Sequence, residues 1–139
     1  MDMVPDEVGR HWRERAKVLL ADKGIEFCDP YDIHPGEWKN YPPLNHDHTR
    51  IIFECKQFID RCDCVLAKVD DSNLRAGTAM EVMCAYIDRT PVVGWTETDL
   101  EHVSPWFAYH CVHVYSTLET ACDGVLACLR TINVKLRRP

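Results

Sequence analysis

Residues 65–82 read Val65-Leu66-Ala67-Lys68-Val69-Asp70-Asp71-Ser72-Asn73-Leu74-Arg75-Ala76-Gly77-Thr78-Ala79-Met80-Glu81-Val82, and the reading of this stretch decides the fold. Cys64 to Val69 is apolar apart from Lys68, which suits a strand buried on both faces. It delivers Asp70 and Asp71 at its tip. Ser72 to Ala76 reads as a loop, and a helix follows from about Gly77 to Asp88. A strand, a polar turn and a helix in succession form the opening of a parallel α/β unit.

The same alternation extends outward. Asp6 to Lys23 has helical spacing at Val8, Trp12, Arg15, Ala16, Leu19 and Leu20, with Asp6 as cap and Gly24 as stop. Ile25 to Cys28 reads as a short strand closed by Asp29-Pro30, and Tyr31 to Leu44 as loop. Asn45 to Arg61 is a second helix, with Ile51, Ile52, Cys55, Phe58 and Ile59 on one face. Pro91 to Trp95 is a buried strand and Thr96 to Pro105 a loop. Pro105 to Tyr109 is a helical turn, Cys111 to Tyr115 a strand, and Leu118 to Val134 the last helix, ahead of a basic tail. The expected architecture is a flavodoxin-like or Rossmann-like three-layer α/β domain, with a mostly parallel sheet of four to five strands. No repeat, low-complexity segment or linker divides residues 1–139, so a single domain is expected.

Composition narrows the function classes. Of the 139 residues, 46% are hydrophobic and 27% charged, as in ordinary globular proteins. The formal net charge of −6 lacks the basic footprint needed to hold long nucleic acid by its phosphates. A small anionic ligand stays compatible with it, because a pocket can be locally basic. No apolar run is long enough to span a bilayer, and residues 1–10 lack a signal pattern, so a cytoplasmic protein is expected. The eight cysteines (Cys28, Cys55, Cys62, Cys64, Cys84, Cys111, Cys122 and Cys128) sit in apolar segments, as small buried hydrophobes do in a reducing compartment.

In an open parallel sheet, ligands bind beyond the carboxyl ends of the strands. Three loops qualify: Asp29 to Leu44, Asp70 to Gly77 and Thr96 to Pro105. The middle one joins a strand-end carboxylate to a Gly-Thr turn that is expected to place Glu81 in the first turn of its helix. A helix N-terminus favours an ionised carboxylate. An ionised glutamate suits attack on an anomeric carbon, with a second carboxylate nearby to handle the leaving group. Thr78-Ala79-Met80-Glu81 is equally a capping box, a motif of many helices without chemistry. His46-Asp47-His48 and Cys62-Asp63-Cys64 do not have a usual zinc spacing. The loop aromatics Tyr31, Trp38 and Tyr41 offer faces for stacking on a base or for packing on the body, and Trp95 offers the same pair of uses.

Asp70, Gly77-Thr78-Ala79-Met80-Glu81, Ala85-Tyr86 and Pro91-Val92-Val93-Gly94 together resemble the core of the nucleoside 2-deoxyribosyltransferase family. Upstream, Trp12-Arg13, Gly24-Ile25 and Asp29-Pro30 are similar to that family's first helix and second strand, so the resemblance covers about residues 2 to 95. A related Gly-Gly-x-Gly-Thr-x-x-Glu motif marks nucleotide phosphoribohydrolases, which also act on N-glycosidic bonds. The resemblance implies cleavage or transfer at the N-glycosidic bond of a 2′-deoxynucleoside or its 5′-monophosphate. Glu81 would be the nucleophile of a covalent intermediate. Asp70 would contact the base or assist its departure, and Gly77, Thr78, Asp71, Tyr31 and Trp38 would line the substrate site. Carboxylates suffice for this chemistry, so no metal or organic cofactor is implied. A homo-oligomer is, since family members complete one another's sites.

Two departures stand out. The family's usual first strand, with its Gly-Pro-like turn, has no counterpart: either the sheet lacks it, a neighbouring chain supplies one, or it lies upstream. Arg75 stands where family transferases carry an acid that contacts the sugar, and it reads either as a 5′-phosphate ligand or as a solvated loop arginine. These departures keep open a non-catalytic nucleotide-binding sensor or regulatory protein with the same pocket. An inactive member of a mixed assembly is a third reading.

Overall fold

A computed structural model of the chain describes residues 6–33, 46–70 and 76–136. Its elements run α1 (Asp6–Leu19), α2 (Pro30–Ile33), α3 (His46–Arg61), β1 (Val65–Lys68), α4 (Ala76–Ile87), β2 (Val92–Trp95), α5 (Pro105–His110), β3 (His113–Tyr115) and α6 (Leu118–Leu136), with a 3-10 turn at Leu100–His102 before α5. The strands form one sheet in the order β1-β2-β3, parallel throughout. Val65 lies opposite Val92 and Lys68 opposite Trp95. Val93 lies opposite His113 and Trp95 opposite Tyr115.

The alternation of side chains along a strand divides the core into two layers. Val93 and Trp95 point to one face, where α1 and α6 cover them with Trp12, Ala16, Leu20, Leu118, Ala121, Cys122 and Val125. Val92, Ala67 and Val69 point to the other, where Ile59, Val82, Ala85, Phe107 and Cys111 meet them from α3, α4 and the α5 region. The expected open parallel sheet with helices on both sides is therefore present. Full burial of a Val, Leu or Phe side chain contributes about 1.5–3 kcal/mol, so these two layers supply most of the drive to fold.

Gly94 sits in β2 because its missing side chain admits close neighbours. A Cβ there would lie 3.2 Å from Cys111 Sγ, Val114 Cγ2 and Val69 Cγ2. Gly24, with φ +70, adopts the left-handed conformation expected of the residue that stops the first helix. The helix itself ends earlier than expected, at Leu19, because Asp22 is already left-handed at φ 59.

Some expectations need correction. Ile25 to Cys28 is not a strand: the chain there is without ladder pairing, and the sheet has three strands among the described residues rather than four or five. Extended chain becomes a strand only when a neighbour accepts its hydrogen bonds, and none of the described strands adjoins it. Ile25 still packs against the α1–α6 layer, while Glu26, Phe27 and Cys28 are exposed. The first strand that the resemblance calls for is not found among the described residues, and among these β1 is an edge strand. Ile52 of α3, expected on the buried face, is 55% exposed, whereas Ile51, Cys55 and Ile59 are buried. Finally, α4 starts at Ala76, so its first turn holds Thr78 and not Glu81. Glu81 lies in the second turn, and the Thr78–Glu81 capping box does not form, since Thr78 is already inside the helix.

Candidate functional site

A cleft runs along β1. The strand residues Val65, Leu66, Ala67 and Lys68 form its floor, Trp12 and Arg13 of α1 one wall, and Thr78, Glu81 and Val82 of α4 the other. Two layers of the fold thus meet at one edge, which is why residues far apart in sequence share the cleft. Val65 N–H donates to Pro91 O and Val69 N–H to Trp95 O, so the odd positions turn their backbone toward β2. The even positions, Leu66 and Lys68, turn theirs toward the cleft.

On α4, residues three and four apart share a face, and helical side chains lean toward the N-terminus. Glu81 therefore lies over Thr78 and Gly77. Glu81 is half-buried, and its charge is felt across the α3–α4 contact: burial first, then Glu81 and Glu54, push the Cys55 thiol up to about 11. Gly77 is exposed, and a Cβ on it would meet nothing within 4 Å.

Asp70 follows β1 directly and is held on both oxygens. Its Oδ1 accepts from Thr96 Oγ1 at 2.9 Å and from the Glu97 backbone N–H at 3.0 Å. Its Oδ2 lies 3.2 Å from Lys68 Nζ, which is also 3.3 Å from Glu97 Oε2 and 5.2 Å from the centroid of the Trp95 ring. Lys68 thus connects the cleft, which it lines, to Asp70. Lys68 and Glu81 both line the cleft, and Asp70 is the ion-pair partner of Lys68. Glu97 is a second carboxylate on Lys68.

Of the other expected site residues, Asp71, Arg75 and Trp38 lie outside the described residues, as does Tyr41. Tyr31 falls within α2. Trp95, left between core and base platform by sequence, is 3% exposed and belongs to the core. Lys68, Thr96 and Glu97 were missed. A signal for Lys68 did exist: a lysine inside an apolar strand must find a carboxylate, because an unpaired buried charge costs several kcal/mol. The partners Thr96 and Glu97 follow β2 and are brought to Asp70 only by the register of the sheet.

A second charged cluster lies between α1 and α2. Lys17 Nζ stands 2.9 Å from Glu14 Oε1, 2.9 Å from Asp29 Oδ2 and 2.7 Å from Asp32 Oδ2. Arg13 Nε approaches Asp29 Oδ1 at 3.4 Å. Desolvation works against the Lys17 ammonium, but hydrogen bonds to Asp32, Asp29 and Glu14 outweigh it and raise its pKa above the usual lysine range. The three carboxylates are close enough to hold a cation, and Lys17 is that cation.

An open parallel sheet with helices on both faces defines a flavodoxin-like or Rossmann-like α/β protein. Within that class the chain belongs to the nucleoside 2-deoxyribosyltransferase family, whose model matches residues 5–122. The match reaches beyond the segment whose motifs carry the resemblance, into α6. No curated protein matches the chain. Family membership suggests an enzyme of the glycosyltransferase or N-glycosidase class, with a nucleoside-class small molecule as its partner. No helix among the described residues is long and apolar enough to cross a membrane.

Proposed function

We propose that residues 1–139 act as one domain that cleaves or transfers the N-glycosidic bond of 2′-deoxyribonucleosides or their 5′-monophosphates. The observation that carries this reading is Glu81 and Thr78 of α4 facing Lys68 of β1 across one cleft, with Asp70 held beside it. Glu81 attacks C1′ of the sugar. The C1′–N bond breaks, its electron pair leaves with the base, and a glycosyl ester forms on Glu81. Water or a second base then displaces Glu81 from C1′, giving hydrolysis or transfer from the same intermediate. Thr78, one helical turn before Glu81, is placed to orient its carboxylate or a sugar hydroxyl. Asp71 and Arg75, which lie between β1 and α4 in the sequence, complete the substrate site, with Arg75 as the ligand of a 5′-phosphate. Tyr31 and Trp38 supply faces for the base. The enzyme works in the cytoplasm as a homo-oligomer, and its chemistry needs no metal or organic cofactor.

The test is free-base release from a panel of deoxynucleosides and their monophosphates, followed by chromatography, with and without an acceptor base. Wild type is expected to release base, and Glu81→Ala to lose at least about a thousandfold, as nucleophile removal does in other enzymes. Folded wild-type protein that binds a nucleotide but releases no base would favour the sensor reading.

A further inference from the structure

α4 is apolar around almost its whole circumference, yet only part of it is covered. Val82 and Ala85 face the sheet and belong to the core beneath it. Met80, Met83 and Ile87, at positions i, i+3 and i+7, form a stripe on the outer side and are 64%, 37% and 68% exposed. The one charged residue of α4, Glu81, lines the cleft instead. A surface helix ordinarily turns charged and polar residues to solvent, and a helix that is apolar all round is a buried one. α5 continues the pattern. Its Phe107 is buried, while Trp106 and Tyr109 stand 75% and 71% exposed. The two helices present one surface: Tyr86 of α4 meets Tyr109 at 5.8 Å and His110 at 4.6 Å between ring centroids, and His110 stacks on Trp106.

The size of this patch points to a protein partner. Aromatic side chains bury about 150–250 Å² each, so the exposed parts of Trp106, Tyr109 and Tyr86 amount to roughly 300–450 Å². Met80, Met83 and Ile87 bring the patch to roughly 600–800 Å², whereas the largest apolar patch of a typical monomer is about 300–600 Å². Each partner in a standard protein–protein interface gives up about 800 Å². Charge narrows the choice further. Helices that lie on a membrane are edged by lysines and arginines, and an anionic leaflet repels a chain of net charge −6. Two copies of that chain also repel each other, but least where no carboxylate stands. The outer sides of α4 and α5 hold none. A twofold contact needs a surface complementary to itself, and an uncharged apolar stripe meets that condition.

We propose that the outer face of α4 and α5, centred on Met83, Ile87, Trp106 and Tyr109, docks against the same face of a second copy about a twofold axis. This rests on the homo-oligomer named in the functional reading, gives it a surface, and uses no step of the chemistry. The partner copy then holds from outside the helix whose cleft side carries Thr78 and Glu81.

Sedimentation velocity of the full chain at about 50 μM tests this, since standard-sized interfaces bind at micromolar concentration or tighter. Wild type is expected at twice its 16.1 kDa, or at a multiple of that. Ile87→Glu and Trp106→Glu each put a carboxylate into the patch on both copies, and should weaken association at least about thirtyfold, as loss of an interface hot spot does. Val18→Glu, on α1 and 74% exposed, should leave it unchanged. Circular dichroism checks that the variants fold. If either does not, Ile87→Ser takes its place, with at least about fivefold weakening expected. Wild type sedimenting as a monomer would overturn the proposal and the homo-oligomer together. An oligomer left intact by Ile87→Glu and Trp106→Glu would overturn this surface alone. Monomeric wild type that instead floats with phospholipid vesicles, and ceases to in Ile87→Glu, would give the patch to a membrane and overturn the pairing. Base release in the Glu81→Ala comparison decides the N-glycosidase reading separately, so that reading and this surface fail independently.

Discussion

Trp12 of α1 meets Trp95 of β2 edge to face, with ring centroids 5.6 Å apart and planes at 62°. The pair locks the first helix onto the central strand. Both indole Nε1 atoms are buried and have no hydrogen-bond partner among the described residues. Trp12 also lines the cleft, and Arg13 stacks over its ring at 4.6 Å. An aromatic pair of this kind contributes about 0.5–1.5 kcal/mol beyond its buried area, whereas an unsatisfied buried donor costs about 1–3 kcal/mol.

Trp12→Phe removes one unpaired donor while keeping a ring at the contact. It is expected to cost less than about 1.5 kcal/mol, well below the ~3–5 kcal/mol typical of aromatic truncation, which Trp12→Ala should show. Urea unfolding of the two variants measures this. Equal losses would mean that the indole N–H is satisfied in solution.

Thr96 is fully buried and ties Asp70 to the loop after β2. Thr96→Val keeps the shape and removes the hydroxyl bridge. Hydrogen bonds to charged groups contribute about 1.5–3 kcal/mol, so a loss of that order is expected in chemical denaturation. In the base-release assay kcat/KM should fall as well, because Asp70 loses one of its anchors. Full stability in this variant would show the hydroxyl to be dispensable.

Gly124 of α6 faces Tyr115 so closely that an added Cβ would lie 2.6 Å from Tyr115 Cε2 and Oη. Helix propensity favours alanine over glycine by about 1 kcal/mol, but overpacking costs about 1–3 kcal/mol. The ring packs against the α1–α6 layer, so Gly124→Ala is expected to destabilise. A raised thermal midpoint would mean that the ring swings away freely.

Burial pushes the Cys111 thiol up to about 11 and, together with Cys128 and Cys62, the Cys64 thiol up to about 12, against an ordinary value of 9.0. The folded chain therefore holds protons that the unfolded chain has released. The resulting stability is complete below the unfolded value and is lost as pH rises through the folded ones. Urea midpoints should fall between about pH 9 and about pH 11, and less steeply in Cys111→Ala. At about pH 8 the exposed Cys28 should react with a thiol reagent well before Cys111. A midpoint independent of pH in that range would contradict the burial of these thiols.

Local signals in the chain determined most of the fold. The apolar run before Asp70, the Pro91–Trp95 run and the helical spacing of Trp12, Ala16 and Leu20 suffice for a parallel α/β sheet, because side-chain period and burial are properties of neighbouring residues. Glu81 and Asp70 were legible as candidates for the same reason: a strand tip and the helix after it are close in sequence. Gly24 was legible as a helix stop from its residue type alone. What only the tertiary structure decided depends on which elements lie side by side. Ile25 to Cys28 has strand character but no neighbour to pair with among the described residues, a fact that no local pattern contains. The start of α4 at Ala76 moves Glu81 out of the first turn, since a helix can begin ahead of an apparent cap. Thr96 and Glu97 reach Asp70 through the pairing of Lys68 with Trp95, which sets the two strand ends level. The environment of Asp70 is thus a consequence of sheet register, a long-range property that the order of residues implies only through the folded chain.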